Sequence, residues 1–272
     1  MVSVTGILIV KNEQEFIERA LNSLLWCDEI LVIDSFSTDD TPRICTDPSR
    51  PWASRIRFIQ KEWSGFPAQR NFGIDQARHD WIFFLDGDEQ CSDKLAITIR
   101  EILKTPGLRP GIYKVRRQEF FLGKPIHHGI WNPSYHERLF HRAGIRFVGE
   151  VHEGIRGGTH AGKIDAPIIH VEDLRMERFL SKLNHYTTIQ AEADYRRGLR
   201  TGFGRILLSF PAMLYKNYIY YGAWKDGREG FIISILEGIS RTVRHLKIWQ
   251  IQTLTSNGTL PRKPSEDPPP KY

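Results

Sequence analysis

Short apolar segments alternate with amphipathic segments over the first third of the chain, and this alternation restricts the fold more than any other feature. Four apolar segments have the length and the β-branched and aromatic content of buried strands, and they span residues 4–10, 29–34, 56–60 and 81–86. Apolar residues recur at helical spacing over residues 13–26, 67–78 and 92–104. Strands that alternate with such helices form a mostly parallel sheet with right-handed crossovers. The sequence therefore predicts an α/β unit over about residues 1–105.

The pattern changes after this unit. Strand-like segments separated by glycine, proline and asparagine span residues 111–121, 137–142, 145–151 and 164–171. Helical periodicity returns over residues 173–198, 203–221 and 227–249. The stretch from about Thr255 is polar and proline-rich, which is typical of a disordered tail. We therefore predict a second half of the same domain at 106–172, a helical basic extension at 173–254 and a tail at 255–272.

Composition places the chain among globular proteins, since 40% of its 272 residues are apolar and 26% are charged. The cysteines Cys27, Cys45 and Cys91 are scattered and lack CxxC spacing, which argues against a disulfide framework and favours a reducing cytosol. Because no basic region precedes the first apolar run, we interpret that run as a strand and not as a signal peptide. We therefore expect a cytoplasmic location.

Positive charge concentrates in the last third of the chain. Between Arg196 and Lys263 there are twelve lysines and arginines against three acidic residues, which suits an anionic surface such as phospholipid, lipopolysaccharide or nucleic acid. The aromatic-rich helix at 203–221 has only ten residues, Ile206 to Tyr215, without Lys or Arg, whereas a bilayer span needs about 20. Two interpretations stay open: a helix that lies in the membrane interface, and a core helix with a basic face in solvent.

Polar clusters follow three of the predicted strands. Asn12 and Glu13 come after the first strand, Asp34 ends the second, and Asp86 and Asp88 follow the fourth. Ligands of parallel α/β sheets bind at the carboxyl ends of the strands, so we expect these side chains to converge on one crevice. Residues i and i+2 of a strand face the same way, and paired carboxylates favour Mg²⁺ or Mn²⁺. A plain Asp-Gly turn is the alternative explanation of the last cluster.

Two long stretches connect these clusters: VKNEQEFIERALNSLLWCDEILVIDSFSTDDT at 10–41 and FPAQRNFGIDQARHDWIFFLDGDE at 66–89. They resemble the family-two inverting glycosyltransferases, whose GT-A fold is Rossmann-like, with a mostly parallel sheet and flanking helices. The branch most similar to this chain is that of the lipopolysaccharide-core β-glucosyltransferase-like proteins. The resemblance implies transfer of a sugar from a nucleotide-sugar, for which we expect UDP-hexose, to a hydroxyl of a glycan acceptor in lipopolysaccharide or another cell-envelope polysaccharide.

The resemblance also implies a role for each donor-side residue. Asn12, Glu13 and Asp34 match positions that hold the nucleoside of the nucleotide-sugar. Arg70 and Asn71 match the segment that faces the diphosphate and the donor sugar. Helix capping is the alternative for Asn12, and an exposed amphipathic helix is the alternative for the Arg70–Asn71 segment.

Asp86 and Asp88 match the metal-binding motif of the family, with Asp88 the expected direct ligand of Mg²⁺ or Mn²⁺ and Asp86 also facing the donor. His170 matches a histidine that some GT-A enzymes use as a further metal ligand, while a structural histidine at a strand end is the alternative. The chain departs from its relatives at Phe36 and Asp40, where glycines are common, so we expect the loop there to differ in shape.

The catalytic base is expected on the acceptor side. An inverting transfer needs a group that takes the proton of the acceptor hydroxyl as its oxygen attacks the anomeric carbon. Glu153, in the segment Val-His-Glu-Gly, matches the position of the acceptor-side acid, and His152 is placed to orient it. Glu150 is the rival for the same role.

Other functions fit the residues less well. HERLFH at 136–141 has one residue more than the zinc motif HExxH, which would place its histidines about 140° apart on a helix. A nucleotidyltransferase usually has a glycine-rich loop where this chain has VKNEQE. A non-catalytic module that binds nucleotide-sugar or nucleic acid, and a protein-modifying glycosyltransferase, stay open, although no nucleic-acid motif is present and nucleic acid is not an expected partner. The expected partners are a nucleotide-sugar, a glycan or lipid-linked glycan, and the anionic inner face of the cytoplasmic membrane.

Overall fold

The four N-terminal apolar segments form adjacent parallel strands in the computed structural model, which describes residues 2–149, 154–170 and 176–257. The strands are β1 (Val4–Val10), β2 (Glu29–Asp34), β3 (Ile56–Gln60) and β4 (Trp81–Asp86). The helices that follow them are α1 (Ile17–Ser23), α2 (Thr41–Thr46), α3 (Phe66–Gln76) and, after one short strand, α4 (Asp93–Leu103). All three predicted helices are confirmed: α1 and α4 are shorter than predicted at both ends, and α3 begins one residue earlier and ends two residues earlier. Helix α2 is an addition to them.

Antiparallel strands extend this sheet. The remaining strands are β5 (Glu89–Cys91), β6 (Ile112–Phe121), β7 (Lys124–Pro125), β8 (Ser134–His141), β9 (Arg146–Val148), β10 (Gly154–Arg156) and β11 (His160–His170). Eight strands of the main sheet lie in the order β3-β2-β1-β4-β8-β6-β11-β5, and β9 pairs with β10 separately. Strand β8 is antiparallel to β4 and β6, and β5 is antiparallel to β11. The predicted α/β class, a mostly parallel sheet with flanking helices and a helical extension, is confirmed.

The apolar character of the N-terminal strands follows from burial on both faces of the sheet. Alternate side chains of each strand enter opposite core clusters: Leu8 and Phe83 pack on one side, and Ile7 and Phe84 pack on the other. All seven residues of β1 are buried. Removing this much apolar surface from water is the main term that stabilises such a sheet. The buried strands hold the polar residues at their carboxyl ends in position.

The chain divides into two compact units. The first comprises Met1–Phe120 and Ser134–Glu172, and the second comprises Phe121–Pro133 and Asp173–Tyr272. The 121–133 segment therefore lies apart from the rest of the predicted 106–172 half, because its Phe121 and Ile126 share a core with Ile233 and Leu236.

Three helices build the second unit: α5 (Met176–Arg196), α6 (Phe203–Tyr215) and α7 (Gly227–Ser256). A π-helical turn, Lys216–Tyr220, continues α6, and a 3-10 turn, Ala223–Asp226, precedes α7. Helix α7 runs seven residues beyond the predicted end at 249, and 258–272, most of the predicted tail, lies outside the described residues. Among residues 2–149, 154–170 and 176–257, no helix combines the length and the apolar composition that crossing a membrane requires.

Candidate functional site

The carboxyl ends of β1, β2 and β4 lie side by side, as the sequence predicts. The register pairs Val10 with Asp34 and Ile9 with Asp86, so these two aspartates flank the end of β1. The residues after β1 are tied to the loop after β2. Asn12 accepts a hydrogen bond from the Thr38 N–H at 2.8 Å through Oδ1. Because α1 begins five residues after Asn12, this side chain stabilises the loop and does not cap the helix.

Asp34 organises the loop that follows β2. Its buried carboxylate accepts hydrogen bonds from the Ser37 N–H, at 3.0 Å to Oδ2, and from Gln60 Nε2, also at 3.0 Å. Phe36 has a φ of 57°, in the left-handed region that favours glycine, and its ring is exposed. A glycine would adopt this backbone at position 36 without strain, whereas Asp40 has a φ of −73° that needs no glycine. Compared with a loop that has a glycine at position 36, this loop carries an additional exposed ring, that of Phe36.

Gly87 lies against the side chain of Glu13. A Cβ built on Gly87 would come within 2.6 Å of Glu13 Cγ and 3.2 Å of Val10 Cγ1. Glu13 itself is buried, and its N–H donates to Thr41 Oγ1 at 2.8 Å. The glycine is therefore required for the close contact between the end of β1 and the turn after β4.

We expect Gly87→Ala to lower the free energy of unfolding by about 1–3 kcal/mol, because the added methyl group overpacks a buried contact. Urea denaturation measures this loss. Gly204→Ala is the matched control, since a Cβ there meets nothing within 4 Å, and it should be neutral or slightly stabilising. Equal stabilities of the two variants would contradict the close contact.

Arg138 of β8 neutralises two carboxylates at the end of β4. Its Nη2 donates to Asp86 Oδ2 at 2.9 Å and to Glu89 Oε1 at 2.7 Å. Arg138 is 4% exposed and Glu89 is 1% exposed, and Glu89 Oε2 accepts from the Asp86 N–H at 3.0 Å. Burial raises the pKa of Glu89, and the Arg138 charge opposes that shift. Glu89 is thus an internal anchor that holds the Asp86 turn.

The ion pairs continue across β6 and β11 and return to the aspartate motif. Arg117 Nη1 lies 3.5 Å from Glu89 Oε1, and Arg117 Nε donates to Glu119 Oε1 at 2.5 Å. Glu119 Oε2 lies 2.6 Å from His170 Nδ1, and His170 Nε2 lies 3.6 Å from Asp88 Oδ2. Four carboxylates therefore share three arginines, counting Arg70, and one histidine in a closed network.

Histidine and carboxylate stabilise each other's charged forms in this network. Burial lowers the pKa of His170, but its ion pair with Asp88 and its hydrogen bond with Glu119 outweigh burial and raise that pKa to about 10. Burial raises the pKa of Glu119, but the His170 hydrogen bond and the Arg117 charge outweigh it, and the net shift is downward. A proton on His170 brings the network of four acids and three arginines to charge balance.

His136 of β8 is a half-buried histidine beside this network, and its Nε2 lies 2.8 Å from Ser134 Oγ. Burial, followed by the charges of Arg138 and Arg117, lowers the pKa of His136 to about 4. The unfolded chain therefore binds more protons than the folded protein between about pH 6.5 and pH 4, so stability falls as the pH is lowered through this window.

We expect the His136 contribution to lower the free energy of unfolding by about 2 kcal/mol between about pH 7 and pH 5. Urea denaturation at a series of pH values gives the free energy of unfolding as a function of pH. The His136 contribution is the difference between the slope of this dependence in the wild type and in His136→Gln. The free energy of unfolding of His136→Gln should depend less steeply on pH. His160→Gln, at an exposed histidine, should show the same dependence as the wild type. Identical slopes for wild type and His136→Gln would contradict the assignment.

Helix α3 directs Arg70 toward the aspartate turn. Arg70 Nη2 lies 3.3 Å from Asp86 Oδ1, and its guanidinium stacks 5.1 Å from the centre of the Phe147 ring. Asn71 donates from Nδ2 to the Phe147 carbonyl at 2.9 Å and accepts from the Phe147 N–H at 2.8 Å. Arg70 thus lies at the candidate site, while both ends of the Asn71 amide fasten β9 to α3.

Asp86, Asp88 and His170 are the residues predicted to hold a divalent cation, and of these Asp88 and His170 contact each other. No group of three or more His, Cys, Asp or Glu side chains able to hold a metal occurs within the described part of the chain. Both Asp86 oxygens contact arginines, whereas Asp88 and His170 lie 3.6 Å apart. Adjacent ligands of one Mg²⁺, each at about 2.1 Å, lie roughly 3 Å apart. Asp88 Oδ2 and His170 Nε2 are farther apart than such a pair, and His170 carries a proton in this network, so His170 could bind a cation only after losing that proton. The Asp88 carboxylate is the donor that fits Mg²⁺, which commonly adds water and substrate phosphate.

The predicted base and its neighbours lie outside the described residues: Glu150, His152 and Glu153. The sequence reasoning also missed Arg117, Glu119 and Arg138. Arg117 and Glu119 are spaced i, i+2 on one face of a strand, which is a readable signal. Arg138 lies inside HERLFH, which forms part of strand β8 and not a helix, so only the strand order reveals its partners.

Comparison with known proteins agrees with this architecture. The model of glycosyl transferase family 2 matches residues 5–158, more than half of the chain. The chain belongs to glycosyl transferase family 2. The resemblance stated from the sequence is thereby confirmed, and the match contains the ends of β1, β2 and β4 as well as Arg138. The GT-A architecture implied by that resemblance is the one that the first unit adopts.

Several relatives of this family 2 chain are named as glycosyltransferases. The lipopolysaccharide core biosynthesis glycosyltransferase LpsC of Rhizobium meliloti is 27% identical over 92% of this chain and 93% of its own length. An uncharacterized glycosyltransferase of Rickettsia felis is 26% identical over 91% of this chain and 90% of its own length. The crystal structure of S. aureus TarS 1–349 in complex with UDP-GlcNAc is 13% identical, with a TM-score of 0.44 over 95% of this chain and 88% of that chain.

Proposed function

We propose that this family 2 chain is an inverting glycosyltransferase that moves a hexose from a UDP-sugar to a hydroxyl of a glycan acceptor in lipopolysaccharide or another cell-envelope polysaccharide. The observation that carries the proposal is that Asp34 and Asp86 lie at neighbouring strand ends, with Arg70 of helix α3 in contact with Asp86, inside the family match. The similarity to an enzyme of lipopolysaccharide core biosynthesis over nearly the whole chain supports the acceptor class. We propose that the enzyme works on the cytoplasmic side of the membrane.

In this proposal the β1 and β2 ends hold the nucleoside. Asn12, Glu13 and Asp34 accept hydrogen bonds from the base or ribose, and the rigid loop that they share with Ser37 and Thr38 supports that role.

The diphosphate binds on the other side of the same crevice. We assign Arg70 to the diphosphate, because the planar guanidinium of arginine donates two parallel hydrogen bonds to phosphate oxygens. On binding the diphosphate, Arg70 would give up part of its contact with Asp86. Asn71 acts as a positioning residue that keeps β9 against α3.

Asp88, with Asp86 beside it and with His170 once it has lost its proton, would hold Mg²⁺ or Mn²⁺ in this enzyme. A bound cation supplies charge neutralisation at the leaving diphosphate. Arg138 and Glu89 keep the Asp86 turn in place, since both are buried and bonded to it. A site held on a rigid sheet loses little energy to reorganisation during the reaction.

The transfer itself follows from the inverting class. The acceptor oxygen attacks the anomeric carbon, the bond from that carbon to the diphosphate oxygen breaks, and Glu153 takes the hydroxyl proton. Glu150 is the competing base. Glu153→Gln and Glu150→Gln, measured side by side for kcat, separate the two, because only loss of the base removes proton transfer while leaving donor binding unchanged.

A donor screen tests the proposed function. The protein is incubated with UDP-sugars, Mn²⁺ or Mg²⁺, and a lipopolysaccharide acceptor fraction, while UDP release and the product mass are followed. We expect acceptor-dependent UDP release with one hexose added to the product. Tight donor binding without turnover would instead identify a non-catalytic binding module, and absence of both binding and turnover with every donor would refute the proposal.

A further inference from the structure

The solvent side of α6 and of the π-helical turn after it is almost entirely apolar. Side chains three and four residues apart share a helix face, and this spacing groups five large apolar residues that are between 51% and 78% exposed: Phe203, Leu207, Leu208, Tyr215 and Ile219. The exposed residues Pro211 and Ala212 complete the row and carry no polar side chain, whereas the exposed Arg205 and Lys216 lie near its two ends. Isolated exposed apolar residues are ordinary, but a contiguous row marks an interaction surface. We call these seven residues the α6 face.

The opposite side of α6 is packed, so the fold of the second unit sets the direction of the α6 face. Ser209 Oγ lies 2.9 Å from Thr242 Oγ1 on α7. The Phe210 ring covers Gly238, where an added Cβ would meet it at 2.8 Å. Rotating α6 to bury its apolar face would expose these contacts. The α6 face is therefore a stable feature of the unit.

Positive charge borders the α6 face. From residue 195 to residue 225 the chain has six lysines and arginines and no acidic residue. Arg205 lies beside Phe203 at the start of α6, and exposed Lys216 and Lys225 lie at the other end. An apolar row with basic residues at both ends has the composition of helices that lie in the interface of anionic membranes.

We propose that the α6 face inserts into the headgroup region of an anionic lipid bilayer and attaches the second unit to it. The apolar side chains would enter the acyl boundary while Arg205, Lys216 and Lys225 contact lipid phosphates. A second copy of the chain is a poorer occupant, because it would bring two acid-free basic segments together. The 13 residues of α6 extend over about 20 Å at 1.5 Å per residue, enough to lie along a membrane surface.

Vesicle sedimentation tests the proposal with the full chain. We expect it to bind phosphatidylcholine vesicles that contain phosphatidylglycerol and to bind pure phosphatidylcholine vesicles much less. The double variant Leu207→Glu with Leu208→Glu should weaken binding by about tenfold or more, because two exposed apolar anchors become acids. Ile97→Glu is the matched control, since Ile97 is 57% exposed on α4 of the other unit, and it should bind like the wild type.

A site-directed fluorophore gives a second readout. The native cysteines Cys27, Cys45 and Cys91 are buried, so a maleimide dye is directed to Leu208→Cys or, as the control, to Ile97→Cys. A blue shift with phosphatidylglycerol vesicles at the first position and none at the second is the expected result. Wild-type protein that does not bind, unchanged binding by the double variant, or a dimer in light scattering that the double variant abolishes would each overturn the proposal.

Discussion

Replacing Arg138 with methionine should lower the free energy of unfolding by about 3–5 kcal/mol, because it leaves buried charges without their partner. Methionine keeps much of the length of the arginine side chain while removing the donor to Asp86 and Glu89. The buried Glu89 carboxylate would lose its 2.7 Å partner and keep the longer 3.5 Å contact to Arg117. Urea denaturation at neutral pH measures the loss.

A matched arginine four residues later serves as the control for Arg138. Arg142 pairs with Asp80 at 3.0 Å, and the Asp80 side chain is 61% exposed, so Arg142→Met should cost about 1 kcal/mol or less. Glu89→Gln combined with Arg138→Met should recover part of the loss, because it removes the charge that the single variant strands. Equal unfolding midpoints for Arg138→Met and Arg142→Met would show that the buried network does not stabilise the fold.

Replacing Asp88 with asparagine should lower kcat for sugar transfer by about 100-fold or more, which is the scale of losing one preorganised electrostatic group at a reacting centre. Asparagine keeps the shape of Asp88 but removes the charge that faces His170. Chelation of divalent cations should have a similar effect on the wild type, and added Mn²⁺ or Mg²⁺ should restore it. UDP release with the donor found in the screen gives kcat and KM.

Asp80→Asn is the control for the Asp88 experiment, since Asp80 precedes β4 at its opposite end and is exposed. It should leave kcat unchanged. Circular dichroism of Asp88→Asn establishes that the variant is folded before its kinetics are compared. Turnover of Asp88→Asn within a few-fold of the wild type would refute the assignment of Asp88 to the cation, even if the chain transfers sugar.

Much of the candidate site could be predicted from the sequence because its residues follow strands that are themselves locally encoded. The apolar run before Asp86 and the β-branched run before Asp34 are visible as short segments, and parallel strands bring their carboxyl ends to one edge. The register that places Asp34 and Asp86 on either side of β1 agrees with that prediction. The role of Glu153 as the catalytic base stays a proposal, because this residue lies outside the described residues.

The first unit also shows where prediction from local pattern fails. Glu89 follows the motif directly and had no assignable role, yet it is buried against Arg138, which is 49 residues away in the chain. The amide of Asn71 is bonded to Phe147, 76 residues away, a contact that the local pattern does not predict. These partners depend on β8 and β9, whose neighbours are determined by long-range pairing.

The sequence by itself therefore determined the strands, the helices between them and the polar residues at their ends, because periodicity and burial act over a few neighbouring residues. Only the tertiary structure decided which cation balances each carboxylate. The order β4-β8-β6-β11-β5 brings Arg138, Arg117, Glu119 and His170 around Asp86 and Asp88. Buried charges must be paired with groups that lie close to them in space. The separation of two residues along the chain does not show how close they lie in the fold.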